Sequence, residues 1–139
     1  MMKKNSPTFT AVALAMIAAA SANGDAPVPL ALTPAEIAGG WVMLFDGTST
    51  DEWRGYKQTS FPFTGWVIED GCLKITGGSN AGDIITDDQF TDFELSLEFK
   101  TSPKANSGIM YRVTETGETT WQTGPEYQIL DDSGHGKSP

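Results

Sequence analysis

Strict alternation over residues 92–100 is the strongest constraint on what this chain can fold into. Phe93, Leu95, Leu97 and Phe99 alternate with Glu94, Ser96, Glu98 and Lys100. This is the period of two that a strand imposes, because successive side chains leave opposite faces of the backbone. The pattern predicts a strand with one face in a core and the other carrying charge. The mature region shows no apolar period of helix length.

The neighbouring segments agree. Trp41 to Phe45 is apolar and ends at Asp46-Gly47, while Trp66 to Ile68 and Cys72 to Ile75 flank Asp70-Gly71. An Asp-Gly pair suits a tight hairpin turn, so the latter two runs are expected to pair antiparallel. Gly77 to Gly82 reads as a loop and Ile84-Ile85-Thr86 as a short strand. Ser102 to Ala105 turns the chain into a strand around Ile109. A polar, Thr-rich connection from Thr114 to Gly124 then leads to a strand beginning at Glu126. Short strands separated by Gly-rich turns predict an all-β sandwich, without internal repeats.

The front of the chain belongs to no fold. Lys3 and Lys4, the apolar run from Phe9 to Ala20 and the small residues Ala20-Ser21-Ala22 form a secretory signal peptide over residues 1–22. The run is shorter than the roughly 20 residues of a membrane span. Residues 23–39 are expected to be a linker and a short helix. There Thr33-Pro34-Ala35-Glu36 has the form of a capping box, and Gly39 or Gly40 ends the turn. The domain proper occupies residues 40–139. Cleavage after Ala22 leaves 117 residues and shifts the net charge from −9 to −11, since it removes two lysines and no acid. Such an acidic chain repels nucleic-acid phosphates and anionic membrane surfaces, and leaves neutral sugars compatible. Cys72 is the only cysteine, so no internal disulfide forms, and its strand position reads as packing.

The candidate chemistry lies in the last third. In Asn106-Ser107-Gly108-Ile109-Met110-Tyr111-Arg112 the alternation puts Ile109, Tyr111 and Val113 inward, with Met110 and Arg112 on the other side. Glu126 and Gln128 share a face of the next strand. Carboxylate, guanidinium and amide groups on one sheet face offer a polyhydroxylated ligand fixed donors and acceptors. A solvated sheet face has the same composition. Glu94 and Glu98 add acids, of which Glu94 reads as a surface pair with its neighbours and Glu98 as a sugar contact. His135, the one histidine, lies in the loop Asp131-Asp132-Ser133-Gly134-His135-Gly136. It is a proton shuttle by type, and a solvated loop residue by the alternative reading. Asp131 and Asp132 are too few for a metal site. Among the tryptophans, Trp66 falls in strand alternation and reads as core, while Trp121 in its polar loop is the stacking candidate.

Several blocks together carry a family likeness: Leu44-Phe45-Asp46-Gly47 followed by Trp53, Trp66-Val67-Ile68-Glu69-Asp70-Gly71-Cys72-Leu73, Asp92-Phe93-Glu94-Leu95, Asn106-Ser107-Gly108-Ile109 and Glu126-Tyr127-Gln128-Ile129-Leu130-Asp131. From about Gly40 to Asp131 the chain resembles the 3-keto-disaccharide hydrolase family, formerly a domain of unknown function. The resemblance implies a concanavalin A-like two-sheet jelly roll, as in lectins and glucanases, and cleavage of glycosides oxidised at C3. A jelly roll takes about eight strands, and fewer are readable here, so a truncated domain is expected. A 3-ketone acidifies the C2 hydrogen, so elimination and rehydration is the implied route. Glu126 or His135 is then the acid or base, Arg112 the enolate stabiliser, and Asn106, Gln128, Glu98 and Trp121 the substrate contacts. No cofactor or metal is called for.

Two rivals stand beside this reading. A glucanase of the same fold needs two carboxylates across the scissile bond, and Gln128 cannot ionise where the second would stand. A carbohydrate-binding module would use the same face without turnover, since a fold does not fix a function.

The export signal yields a direct expectation. The mature protein should be secreted or periplasmic and begin at or near Asn23; N-terminal sequencing of exported material that starts at Met1 would contradict it.

Overall fold

The computed structural model describes residues 2–3 and 30–135. The rest of the expected signal peptide and most of the linker lie outside the described residues, as do residues 136–139. The chain divides into two units, Met1–Glu98 and Phe99–Pro139.

In the first unit, Thr33 begins helix α1 (Pro34–Ala38) with the expected capping box. Its side chain accepts from the Glu36 N–H at 3.3 Å, and the Glu36 carboxylate accepts from the Thr33 N–H at 2.7 Å. The helix closes at Gly39, and Gly40 takes φ +80°. Strand β1 (Met2–Lys3) pairs antiparallel with β2 (Trp41–Val42). The expected cleavage after Ala22 removes that pairing. Strand β3 (Trp53–Gly55) pairs with β6 (Ile84–Thr86), and Arg54 Nε contacts Asp87 Oδ1 at 3.2 Å alongside. Strands β4 (Trp66–Glu69) and β5 (Cys72–Ile75) form the expected hairpin. Asp70 at φ +51° and Gly71 at φ +72° are the two left-handed residues that a tight hairpin turn requires.

The core of this unit gathers on Leu44, with Val42, Trp53, Phe90, Phe93 and Leu95 against it. Leu44 is 5% exposed; burying such a side chain contributes about 1.5 to 3 kcal/mol. The Trp53 indole N–H donates to the Leu44 carbonyl, so the core residue's backbone is satisfied by the ring that covers it. Trp66 is half-buried and donates to the Gly82 carbonyl at 2.9 Å.

In the second unit, β7 (Asn106–Met110) pairs antiparallel with β8 (Glu126–Leu130). A single 3₁₀ turn (Thr120–Gln122) lies between them, and a one-turn helix α2 (Asp132–His135) follows. Among the described residues the strands form four two-stranded antiparallel pairs with few helical residues, which is an all-β chain.

Three expectations are corrected. Residues 92–100 form no strand, only an isolated bridge at Leu95. Phe93, Leu95 and Leu97 are half-buried, with Glu94 and Glu98 exposed as the alternation requires, but Phe99 is 54% exposed. Alternation specifies two faces, whereas a strand also needs neighbours for its N–H and C=O groups, and one segment's period does not supply them. The strand at Trp41 stops at Val42, and Leu44 and Phe45 continue as buried irregular chain. The segment after Asp131 is a helical turn and not an open loop.

Asp46 organises the turn behind that core. Its Oδ1 accepts from the N–H groups of Thr48 at 2.7 Å and Ser49 at 2.8 Å and from the Thr48 hydroxyl at 2.9 Å. Burial pushes its carboxyl upward, but these hydrogen bonds together outweigh it and hold the group below the ordinary aspartate value. A depressed folded value gives stability that is present above the unfolded value, near pH 4, and lost as pH falls through the folded one. The stability gap between wild type and Asp46→Asn should therefore be largest at neutral pH and shrink towards pH 2. An equal gap at both ends of a urea-unfolding pH series would contradict this.

Candidate functional site

The register of β7 on β8 decides which side chains share a face. Asn106 stands opposite Leu130, Gly108 opposite Gln128 and Met110 opposite Glu126, while Ser107 faces Ile129 and Ile109 faces Tyr127. Directly opposed residues point to the same side of an antiparallel pair. One face therefore carries Asn106, Gly108, Met110, Glu126 and Gln128. The other carries Ile109 and Ile129, the latter buried, together with Ser107 and Tyr127. Glu126 and Gln128 share a face as the sequence parity requires, and Asn106 joins them from the adjacent strand.

Asn106, Glu126 and Gln128 are all solvent-exposed. The two amides are bonded to one another: Gln128 Nε2 donates to Asn106 Oδ1 at 2.6 Å and to the Ser107 carbonyl at 2.8 Å. That fixes which way the Gln128 amide faces and leaves its Oε1 oriented as an acceptor. The Glu126 side chain reaches diagonally across the ladder and lies over Gly108.

The remaining sequence-selected residues are placed differently. Arg112 stands beyond the end of β7 at φ +56°, so the alternation that assigned it to the Met110 face has already stopped. It is exposed, and Tyr111 just before it is 39% exposed instead of packed inward. Trp121 sits in the 3₁₀ turn and is 65% exposed, the highest exposure of the tryptophans described. Its connection is stitched across the neck: the Thr123 hydroxyl donates to the Thr114 carbonyl at 2.9 Å and accepts from the Thr114 N–H at 3.1 Å. Gln122 Oε1 takes the Glu118 N–H at 2.6 Å. Glu98 is exposed and belongs to the first unit. His135 is the last residue of α2, and its side chain lies outside the described residues.

Asp131 was read from sequence only as one of two loop acids, and it does more. Its Oδ2 accepts from the Lys104 N–H at 2.7 Å, and its Oδ1 accepts from the Ser133 N–H at 3.2 Å and the Ser133 hydroxyl at 2.7 Å. One carboxylate thus caps α2 and ties it to the turn before β7. The signal was present in the Asp-x-Ser spacing ahead of Gly134. Among the described residues no group of three or more His, Cys, Asp or Glu side chains gathers as metal ligands. No helix there is long and apolar enough to cross a membrane. A cavity of about 310 Å³ in the first unit is bordered by Leu30, Leu44, Asp46, Asp51 and Glu52, and none of the sequence-selected residues lines it.

Fold and face together describe an all-β chain whose exposed polar strand face offers one carboxylate beside two linked amides. Residues 40–139 match the family model described as a 3-keto-alpha-glucoside-1,2-lyase-like domain, and the chain belongs to that family. It is also 36% identical to a 3-keto-disaccharide hydrolase of Bacteroides thetaiotaomicron, over 70% of this chain and 39% of that protein. The chain thus spans about two fifths of that relative's length.

The Asp131 clasp is open to direct measurement. Asp131→Ala removes the helix cap and the acceptor of the Lys104 N–H and should lower unfolding stability by about 1 to 3 kcal/mol. Asp131→Asn keeps one acceptor oxygen and should recover part of the loss. A denaturant midpoint unchanged by Asp131→Ala would rule out the clasp.

Proposed function

We propose that this chain carries the sugar-facing part of an exported enzyme that cleaves 3-keto-disaccharides by elimination across C1 and C2, followed by hydration. The observation that carries the reading is the shared face of Asn106, Glu126 and Gln128 within a chain that belongs to this family. The two-sheet jelly roll is the proposed setting for that face.

The chemistry asks little of the protein. A ketone at C3 acidifies the hydrogen at C2, so a base takes that proton and the electron pair becomes an enolate on the C3 oxygen. The enolate re-forms the ketone, the C1–O bond breaks, and an acid delivers a proton to the departing oxygen. Water then adds at C1 and a proton returns to C2, so the net change is hydrolysis. The lyase in the family's description fits the elimination half of this route, and the hydrolase in the relative's name fits its net result. In this reading Glu126 transfers a proton, with His135 as its partner of opposite role, and Arg112 faces the enolate oxygen. Asn106 and Gln128 bind hydroxyls through their amides, and Trp121 stacks on a ring.

Glu126→Gln keeps the shape and removes the proton-transfer group, and should lower turnover of a 3-keto-disaccharide by about 10²-fold or more with much smaller change in binding. Deuterium at C2 should slow the wild-type reaction, because elimination breaks that bond and direct glycosidic hydrolysis does not. Near-full activity in Glu126→Gln removes the residue from the mechanism. Absence of both a C2 isotope effect and C2 exchange with solvent removes the elimination.

A further inference from the structure

Gly108 occupies a strand position where backbone conformation gives no reason for glycine. Its φ lies outside the left-handed region that the other structurally required glycines, such as Gly65 and Gly71, adopt. A strand interior ordinarily disfavours glycine, which packs nothing and loses more chain entropy than any other residue. The reason at this position is space. A Cβ on Gly108 would stand 2.6 Å from both Cγ and Cδ of Glu126, and closer still to Oε1. No side-chain carbon tolerates such an approach.

We propose that Gly108 is a positioning residue for Glu126: its missing side chain leaves the hollow in the sheet face in which the Glu126 side chain lies. Because Cγ and Cδ are blocked along with the oxygen, turning the carboxylate about its last bond does not clear the overlap. A side chain at position 108 forces Glu126 into another rotamer about χ1, since rotation about χ2 leaves Cγ in place, and carries its carboxylate away from its place over Gly108. Glu126 is exposed, so water receives the displaced group and the fold bears little of the cost. The functional consequence rests on the reading of Glu126 as the proton-transfer group, since a base displaced by an ångström loses its reach.

The test uses the full chain with Gly108→Ala, Glu126→Asp, Glu126→Gln and the double variant Gly108→Ala/Glu126→Gln. Side-chain coupling constants of Glu126 should report one rotamer in wild type and a different one in Gly108→Ala, with the unfolding midpoint little changed; an unchanged rotamer overturns the proposal. On a 3-keto-disaccharide, Gly108→Ala should lower kcat about 10- to 100-fold with KM nearly constant, and add no further loss in the Glu126→Gln background. Glu126→Asp, which keeps the charge but draws the carboxylate back by one carbon, should lose kcat similarly. Equal losses from Gly108→Ala in both backgrounds, or full activity in Glu126→Asp while Glu126→Gln is disabled, overturn the positioning role alone. Full activity in Glu126→Gln overturns the Glu126 reading and this proposal's catalytic consequence with it.

Discussion

Everything attributed to the polar face depends on the register of β7 against β8. A slip of one residue in β8 would turn Glu126 and Gln128 to the side now occupied by Ile109 and Ile129, and the same slip in β7 would turn Asn106 there instead. Two backbone hydrogen bonds hold the ladder just beyond its ends: the Asp131 N–H donates to the Ala105 carbonyl at 3.0 Å, and the Tyr111 N–H to the Pro125 carbonyl at 3.1 Å. The Asp131 carboxylate reinforces the first end through the Lys104 N–H. Burial of Ile129 supplies the apolar preference that makes one register better than its neighbours. A short pair is therefore pinned at both ends and in its middle.

What could be read from the sequence followed from local chemistry. The Asp70-Gly71 hairpin, the Thr33 capping box and the parity of Glu126 with Gln128 each depend on residues a few positions apart, and all three appear as expected. The failures share the opposite character. Residues 92–100 alternate well and still lack a ladder, because hydrogen-bond partners come from distant chain. Arg112 was assigned a face by counting along a strand that ends at Met110, and its positive φ makes the count meaningless beyond that point. Strand β3 went unread because Trp53-Arg54-Gly55 is too short to show a period; only its pairing with Ile84–Thr86 defines it. Asp131 and Gly108 were legible as residue types, but their roles lie in contacts across the β7–β8 pair or with the turn that precedes it.

The connection that carries Trp121 shows how a polar loop can present an apolar ring. Thr114 and Thr123 exchange two hydrogen bonds at its neck, and Gln122 binds the backbone of Glu118 inside it. Ordering a loop on binding costs conformational entropy, and these hydrogen bonds already meet part of that cost in the folded chain. Of the threonines in this segment, Thr123 serves the loop's own backbone through its hydroxyl, while the Thr114 and Thr116 hydroxyls bond to each other.

The same economy bears on the proposed chemistry. A glycosidase that works through two carboxylates needs both ionisable and set across the bond. On this face the residue two positions from Glu126 is an amide that spends both donated hydrogen bonds on Asn106 and Ser107. A second carboxylate there would face the Asn106 oxygen and the Ser107 carbonyl, acceptor against acceptor, and the link between the strands would be lost. The amide that stands where a second carboxylate would is thus the group that links the two strands on this face. A route that draws its driving force from the substrate's own ketone needs only one carboxylate at this face, and places its demand on where that carboxylate sits. In the fold that demand falls on a glycine, since only a position without a side chain lets Glu126 lie across its neighbour strand.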